Sequence, residues 1–236
     1  MKIYTGTSGY GYKQWKGNFY PAKISADKML SFYAGRLETV EINNTFYRMP
    51  TEPAVRAWAK QVKTGFVFAI KAPQAITHIK RLSGVKEEAR FLFKSVSKLG
   101  SKLGCVLFQF PASFRLDQKL LEDFLGLIPE KIPCAFDFRS SSWMNPAVIG
   151  LLHSKGACLC MEDTDEKPVE EIVSTASWGY FRLRRTDYSD DELALWAKKI
   201  SSQKWEKVFV FFKHEDDSAA RGPALALRFR ELTGEN

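Results

Sequence analysis

Spacing along the chain alternates between two kinds of segment. Short apolar runs of five to eight residues suit strands buried on both faces, and the longer stretches between them, apolar every third or fourth position, suit amphipathic helices. Eight strands are expected at Ile3–Thr7, Thr39–Asn43, Phe66–Ala72, Cys105–Phe110, Cys134–Arg139, Ala157–Asp163, Trp178–Arg184 and Lys207–His214. Helices are expected at Ala26–Arg36, Glu52–Val62, Lys86–Leu99, Asp117–Ile128, Pro146–Lys155, Ser189–Ser201 and Pro223–Leu232, with a weaker pattern at Val169–Thr175. Start signals support several of them: Asp117 before Gln118, Asn145 before Pro146, and Ser189 with Glu192 three residues on. Successive strands begin 21 to 39 residues apart, room for a strand, a crossover helix and two loops. Eight such units predict an α/β fold, a (β/α)8 TIM-type barrel formed as a single domain over residues 1–236. A doubly wound open sheet is the alternative, and it would leave two edges to protect.

Composition narrows this picture. The chain has 236 residues, 45% of them hydrophobic and 26% charged, which excludes a disordered class and permits a large core. No run approaches the roughly 18 apolar residues of a membrane helix, and the start, MKIYTGTSG, has no apolar signal region, so a cytoplasmic protein with no membrane contact is expected. Cys105, Cys134, Cys158 and Cys160 all fall inside apolar runs, as buried reduced thiols would. Lys and Arg number 35 against 27 Asp and Glu, a net charge of +8 that favours an anionic partner, a small molecule or a nucleic acid. Protein partners are left open.

In a barrel the residues ending each strand line the mouth, so polar groups there are the candidates for chemistry. Glu41 and Asn43 share one strand face, as do Asp137 and Arg139, and Tyr180, Arg182 and Arg184. Lys71 ends the third strand, Gln109 precedes Pro111 on the fourth, and Lys213-His214-Glu215 closes the eighth. Charges in apolar strands are costly unless paired, so Glu41, Lys71, Asp137, Arg139 and Arg182 are expected to form a connected network. In its functional form, Glu41 or Asp137 is the general acid or base, Lys71 an electrostatic or proton-transfer partner, and Arg139 and Arg182 an anion clamp. In its structural form, the same ions plug the barrel.

The glycine-rich stretch Gly6–Tyr12 fits neither phosphate-loop pattern, and a tight turn folding Tyr10, Tyr12 and Trp15 over the mouth is the plainer reading. Phe46, Tyr47, Trp143 and Tyr188, and His78 near the mouth, also follow strands, beside Lys80, Arg81, Arg139, Arg184 and Arg185, a mixture of rings and cations suited to bases and phosphates. Hydrophobic lid packing is the more common reason for such rings. With three histidines a multi-zinc site is excluded, whereas Glu41, Asp137, Asp163, His214 and Glu215 could hold one divalent cation; no other cofactor is indicated.

These residues resemble the YecE-like family, domain of unknown function 72. The likeness is carried by Gly6-Thr7-Ser8-Gly9-Tyr10, Trp15–Pro21, Glu41–Arg48, Lys71-Ala72-Pro73 with Thr77-His78, Phe108–Pro111, and Phe138-Arg139 with Trp143. The resemblance implies the barrel fold but no secure catalytic assignment. The chain departs from the family's form at Arg182–Arg185 and Lys213–Glu215, which leaves that side of the mouth unassigned. The expected function is an enzyme acting on a phosphate-bearing substrate, a nucleic acid or nucleotide, at the carboxyl ends of the strands, by phosphodiester or glycosidic chemistry. The alternatives are a sugar or acid isomerase using Glu41 and Lys71, and a non-catalytic nucleic-acid or anion binder.

Overall fold

Apolar runs with little alternation form strands that are covered on both sides, here by helices outside and by one another's side chains inside. The structure, a computed structural model, describes residues 1–213 and 219–234. Its strand segments are β1 Lys2–Ser8, β2 Thr39–Ile42, β3 Val67–Lys71, β4 Leu103–Phe110, β5 Cys134–Phe138, β6 Cys158–Leu159, β7 Met161–Asp163, β8 Trp178–Leu183 and β9 Lys207–Phe212. Their order is β6-β5-β4-β3-β2-β1-β9-β8-β7, and every pair is parallel. β6 and β7 are two halves of one run interrupted at Cys160: the first half pairs with β5 and the second with β8. That run closes the ring into the expected (β/α)8 barrel of eight strand positions.

The helices are α1 Ala26–Ala34, α2 Glu52–Gln61, α3 Lys86–Val96, α4 Gln118–Leu125, α5 Pro146–Ser154, α6 Asp190–Ser201 and α7 Arg221–Leu232. Their starts obey the signals in the sequence. Asp117 and Asn145 accept from the backbone N–H groups of Leu120 and Val148, and Ser189 and Glu192 form a complete capping box. The pattern at Val169–Thr175 does not become a helix. Side chains take its backbone partners instead: Asp163 Oδ1 accepts from Val169 N at 2.9 Å, and Thr175 Oγ1 accepts from Leu159 N and donates to Ala157 O at 2.8 and 2.7 Å. The apolar positions that mimicked a helix, Val169, Ile172 and Val173, pack directly on the outer core.

Two cores result. One lies between strands and helices; the other fills the barrel with Val67, Ala69, Cys105, Leu107, Ala135, Tyr180, Phe209 and Phe211. All four cysteines are free and buried, Cys158 and Cys160 inside the barrel. Gly6 is required where β1 meets β2, because a Cβ there would lie 2.1 Å from Thr39 O. Among the described residues no helix is long and apolar enough to cross a membrane.

Candidate active site at the barrel mouth

The period of two along each strand decides which residues enter the barrel. Counted from the interior apolar residues, the same beat reaches Glu41 on β2, Lys71 on β3, Gln109 on β4, Asp137 on β5, Glu162 on β7 and Arg182 on β8. Arg182 sits at the centre of the acids. Its Nη2 donates to Glu41 Oε1 at 3.1 Å, and its Nη1 donates to Asp137 Oδ2 at 3.2 Å and Glu162 Oε1 at 3.1 Å. Gln109 Nε2 donates to Asp137 Oδ2 at 2.6 Å, and Glu41 accepts further from Tyr180 Oη at 2.5 Å and Asn43 Nδ2 at 3.1 Å. Arg182 is 2% exposed and Glu41 fully buried, so these bonds act where water does not screen them. Arg184 also bonds Glu162, and Arg139 Nη2 lies 3.8 Å from it. Three carboxylates thus face four cations, Arg182, Arg184, Arg139 and Lys71.

Each group's proton affinity follows from its place. Burial would raise Glu41, but the charge of Arg182 and the Tyr180 hydroxyl outweigh it and hold the carboxyl near 2. Asp137 is raised, by burial and by the charge of Glu162 across the shared Arg182 nitrogen. Burial and then Arg182 lower Lys71 to about 8, against the opposing pull of Glu41 and Asp137. His78 is lowered by burial and by the neighbouring Lys71, Arg139 and Arg81 charges.

Above the acids lies a cavity of about 460 Å³ whose lining includes Asn43, Phe46, Tyr47, Lys71, His78, Gln109, Arg139, Arg182, Arg184 and Lys213. No carboxylate is among its described lining residues. Three loops shape it. Thr45 Oγ1 donates to Lys71 O at 2.6 Å, tying the loop after β2 to the end of β3 and placing the Phe46 ring 4.4 Å from Lys71 Nζ. The loop after β3 contains a π-helical turn, Ala75–Ile79, that carries His78 to the cavity, then two residues at positive φ, Arg81 and Leu82. A bulky side chain in that backbone region is strained, and such strain clusters at functional sites. Gly6–Ser8 belong to the end of β1 and the turn follows from Gly9, at φ 97°, while Tyr12 lines the cavity with its hydroxyl donating to Ser8 O.

A family model described as "Protein of unknown function DUF72" matches residues 4–236. The chain belongs to the DUF72 family. A curated relative, UPF0759 protein YunF of Bacillus subtilis, is 32% identical over 153 residues, which is 61% of this chain and 53% of YunF. The chain therefore spans about half the length of that relative. A crystal structure of a DUF72 family protein from Thermotoga maritima has a TM-score of 0.86 at 24% identity, covering 99% of this chain and 100% of that one. One from Enterococcus faecalis has a TM-score of 0.81 at 20% identity, covering 98% and 95%. At these identities the likeness concerns the fold.

This DUF72 protein gathers most of the residues singled out in its sequence. Glu41, Asn43, Tyr47, Lys71, His78, Gln109, Asp137, Arg139 and Arg182 all meet at the mouth. Two tryptophans do not. Trp15 is 1% exposed, held among Tyr12, Phe19 and Tyr20, and Trp143 is 1% exposed, stacked on Phe138 at 4.5 Å with its Nε1 donating to Phe114 O. Both are packing residues with no face left for a substrate. Tyr10 turns its ring toward Tyr33 at 6.3 Å and does not line the cavity. Lys80 is paired with Glu88, and Arg185 with Asp163 and Glu192. Asp163 has the opposite parity to Glu162 and bonds Tyr188 and Arg185 outside the barrel, so it does not join Glu41 and Asp137; His214 and Glu215, the other expected cation ligands, lie outside the described residues. Among the described residues no group of three potential ligands could hold a metal ion. The site residue missed in the sequence is Glu162; Tyr12 and Phe46, expected among the rings at the mouth, do line the cavity, and Tyr180 was placed on the right face but given no role. Continuing the Cys158, Cys160 beat by one step would have found Glu162.

Proposed function

We propose that this protein is an enzyme acting on a phosphate-bearing substrate, a nucleic acid or nucleotide, bound at the carboxyl ends of the strands. The observation that carries this reading is the mouth cavity, lined by Lys71, Arg139, Arg182, Arg184, Lys213 and His78 without a described carboxylate. Such a lining attracts an anion and offers arginine forks to its oxygens. Arg139 and Arg184, whose charges are shared among the described residues only with Glu162, bind the phosphate. Arg182 lies in the floor and orients the acids. Lys71, lowered to about 8, and His78, lowered by burial and the neighbouring cations, move protons. Glu41, locked in its ionised form, is a positioning residue and not the general base that its place on β2 suggested.

A cationic path leaving the mouth favours a polymer over a small sugar. Arg81 Nη2 donates to Ser113 Oγ and Arg115 Nη1 to Ser140 Oγ, each at 3.3 Å, so exposed guanidiniums bridge the loops after β3, β4 and β5 and keep their charge for another partner. Tyr47, 77% exposed beside the cavity, offers a ring on which a base can stack. The four buried free thiols fit a reducing, cytoplasmic setting.

The test is a salt series of binding to single- and double-stranded DNA and RNA, run with a cleavage assay with and without divalent metal. Binding that weakens steeply with salt, and weakens further in Arg139→Ala and Arg184→Ala, is expected. Absent binding, or binding indifferent to salt, overturns the reading. A sugar isomerase would ignore the loss of Arg81 and Arg115.

A further inference from the structure

The cations of the mouth differ in what surrounds their terminal atoms. Arg139, Arg182 and Arg184 all reach Glu162 within 4 Å. Lys71 makes no such pair among the described residues; its contact is the face of the Phe46 ring, 4.4 Å from Nζ. The backbone behind it is fixed, since Lys71 ends β3 and its carbonyl is held by Thr45. The groups that act on its charge are Arg182 and Arg139, which repel it, and Glu41 and Asp137, which attract it from the floor. With burial, the repulsion brings the ammonium to about 8, so near that pH about half of the side chains are neutral amines with a lone pair open to the cavity. An amine desolvated beside another cation is an activated nucleophile, and its natural electrophile is a carbonyl carbon.

We propose that Lys71 is a nucleophile that forms an imine with the aldehyde of a phosphate-ester substrate held by Arg139 and Arg184. The inference rests on the phosphate reading above and names the substrate's second group. The Nζ lone pair bonds the carbonyl carbon, and the C=O π pair moves to oxygen, which takes the proton lost by nitrogen. The resulting carbinolamine expels its hydroxyl as water with a proton taken from solvent while the nitrogen lone pair completes C=N, and the iminium N–H proton passes to the neutral imidazole of His78, so that the net change is the loss of one water. No oxidant or reductant is consumed. Two sources present this chemistry, an open-chain sugar phosphate and a nucleic-acid strand with a base-less sugar. The arginine path of Arg81 and Arg115 predicts that the strand engages at lower concentration.

Reductive trapping tests it. The intact chain is treated with cyanoborohydride and either glyceraldehyde 3-phosphate, an oligonucleotide with one abasic site, or unphosphorylated glyceraldehyde, and adducts are located by peptide mass. Expected is one adduct on Lys71, at least tenfold above any other lysine, for both phosphate probes, with a yield that rises through pH 8. Unphosphorylated glyceraldehyde should show no preference for Lys71. Lys71→Arg, which keeps the charge, should abolish the adduct; Lys71→Met serves if that variant does not fold, and the peptide map of the natural chain decides in either case. Labelling spread evenly over lysines, or unchanged in the variant, overturns the proposal. If inorganic phosphate and plain oligonucleotides bind but no adduct forms, the nucleophile fails and the phosphate reading stands. If nothing phosphate-bearing binds, both fall.

Discussion

Two layers of charge, the floor and the mouth, occupy the same end of the barrel and obey different rules. In the floor, Arg182 is shared among Glu41, Asp137 and Glu162, and Tyr180, Gln109 and Asn43 fill further positions on the acids. In the mouth, Lys71 rests on a ring, and Arg81 and Arg115 bond hydroxyls. Burial makes an unmatched charge expensive, so the deep layer is matched; in the outer layer the exposed Arg81 and Arg115 can remain unmatched because water screens them, and the partly buried Lys71 instead gives up part of its proton affinity. The structural and functional forms of the expected network are thus both present, one above the other, and a residue's depth assigns it.

The strongest way to break this division is to remove the centre of the floor. Arg182→Met strands two buried carboxylates, Glu41 and Asp137, and should cost about 3–5 kcal/mol in urea unfolding at pH 7. Arg182→Lys keeps a charge but loses the fork, with an expected cost of about 1.5–3 kcal/mol and little change in phosphate affinity. Lost affinity at unchanged stability would move Arg182 from the floor to the mouth.

A pH series sharpens the same point. Glu41 drops from an ordinary 4.5 to about 2 on folding, so its contribution is complete above pH 4.5 and is lost as the pH falls toward 2. That shift corresponds to stability on the order of 3 kcal/mol, and Glu41→Gln should lack this part of the acid-side slope when unfolding is followed from pH 6 to 2.

Lys71 should behave in the opposite way. Its value falls from 10.5 to about 8, so below pH 8 the folded state carries a charge it would rather shed, and stability rises between pH 8 and 10.5 as the unfolded chain gives up its extra proton. Lys71→Met should therefore be more stable than the natural chain at pH 7, by about 1–2 kcal/mol after allowing for the part of the side chain left in water. Thermal unfolding at pH 7 and 10 checks both sign and window. A destabilised variant at pH 7 would place Lys71 with the floor.

The smallest expected effect is at the rim. Arg115→Ala should change stability by less than about 0.5 kcal/mol, yet reduce the slope of log binding constant against log salt by about one for a nucleic-acid strand.

The parts legible in the sequence were those in which the strand beat is uninterrupted. Glu41 with Asn43, and Asp137 with Arg139, are polar pairs two apart in runs otherwise fully buried, and the period of two sends them to one face. Glu162 was obscured because Met161-Glu162-Asp163 follows the break at Cys160 and sets two acids of opposite parity side by side. Trp15 and Trp143 looked like stacking surfaces because they follow strands; spacing in a loop carries no period that tells an inward ring from an outward one. Val169–Thr175 had helical spacing, but β-branched residues and competing side-chain hydrogen bonds favoured an extended path. The π-helical turn that delivers His78 has no sequence signature of comparable strength.

A ring of hydrogen-bonded strands is a hoop, and this hoop is weakest at the divided run β6–β7, where the β5–β6 seam has the fewest paired residues and the run itself is broken at Cys160. β6 is joined to β5 over two paired residues and β7 to β8 over three, whereas β1 and β9 pair over six. Thermal breathing of the wall should begin at residues 158–163, whose amide hydrogens will exchange ahead of those in β1 and β9. Asp137 stands on one side of that run, Arg182 on the other, and Glu162 on the run itself. Each opening therefore stretches the ion cluster and weakens the pull of Arg182 that favours the ionised forms of Asp137 and Glu162, so that the acidity of the floor fluctuates in step with the wall.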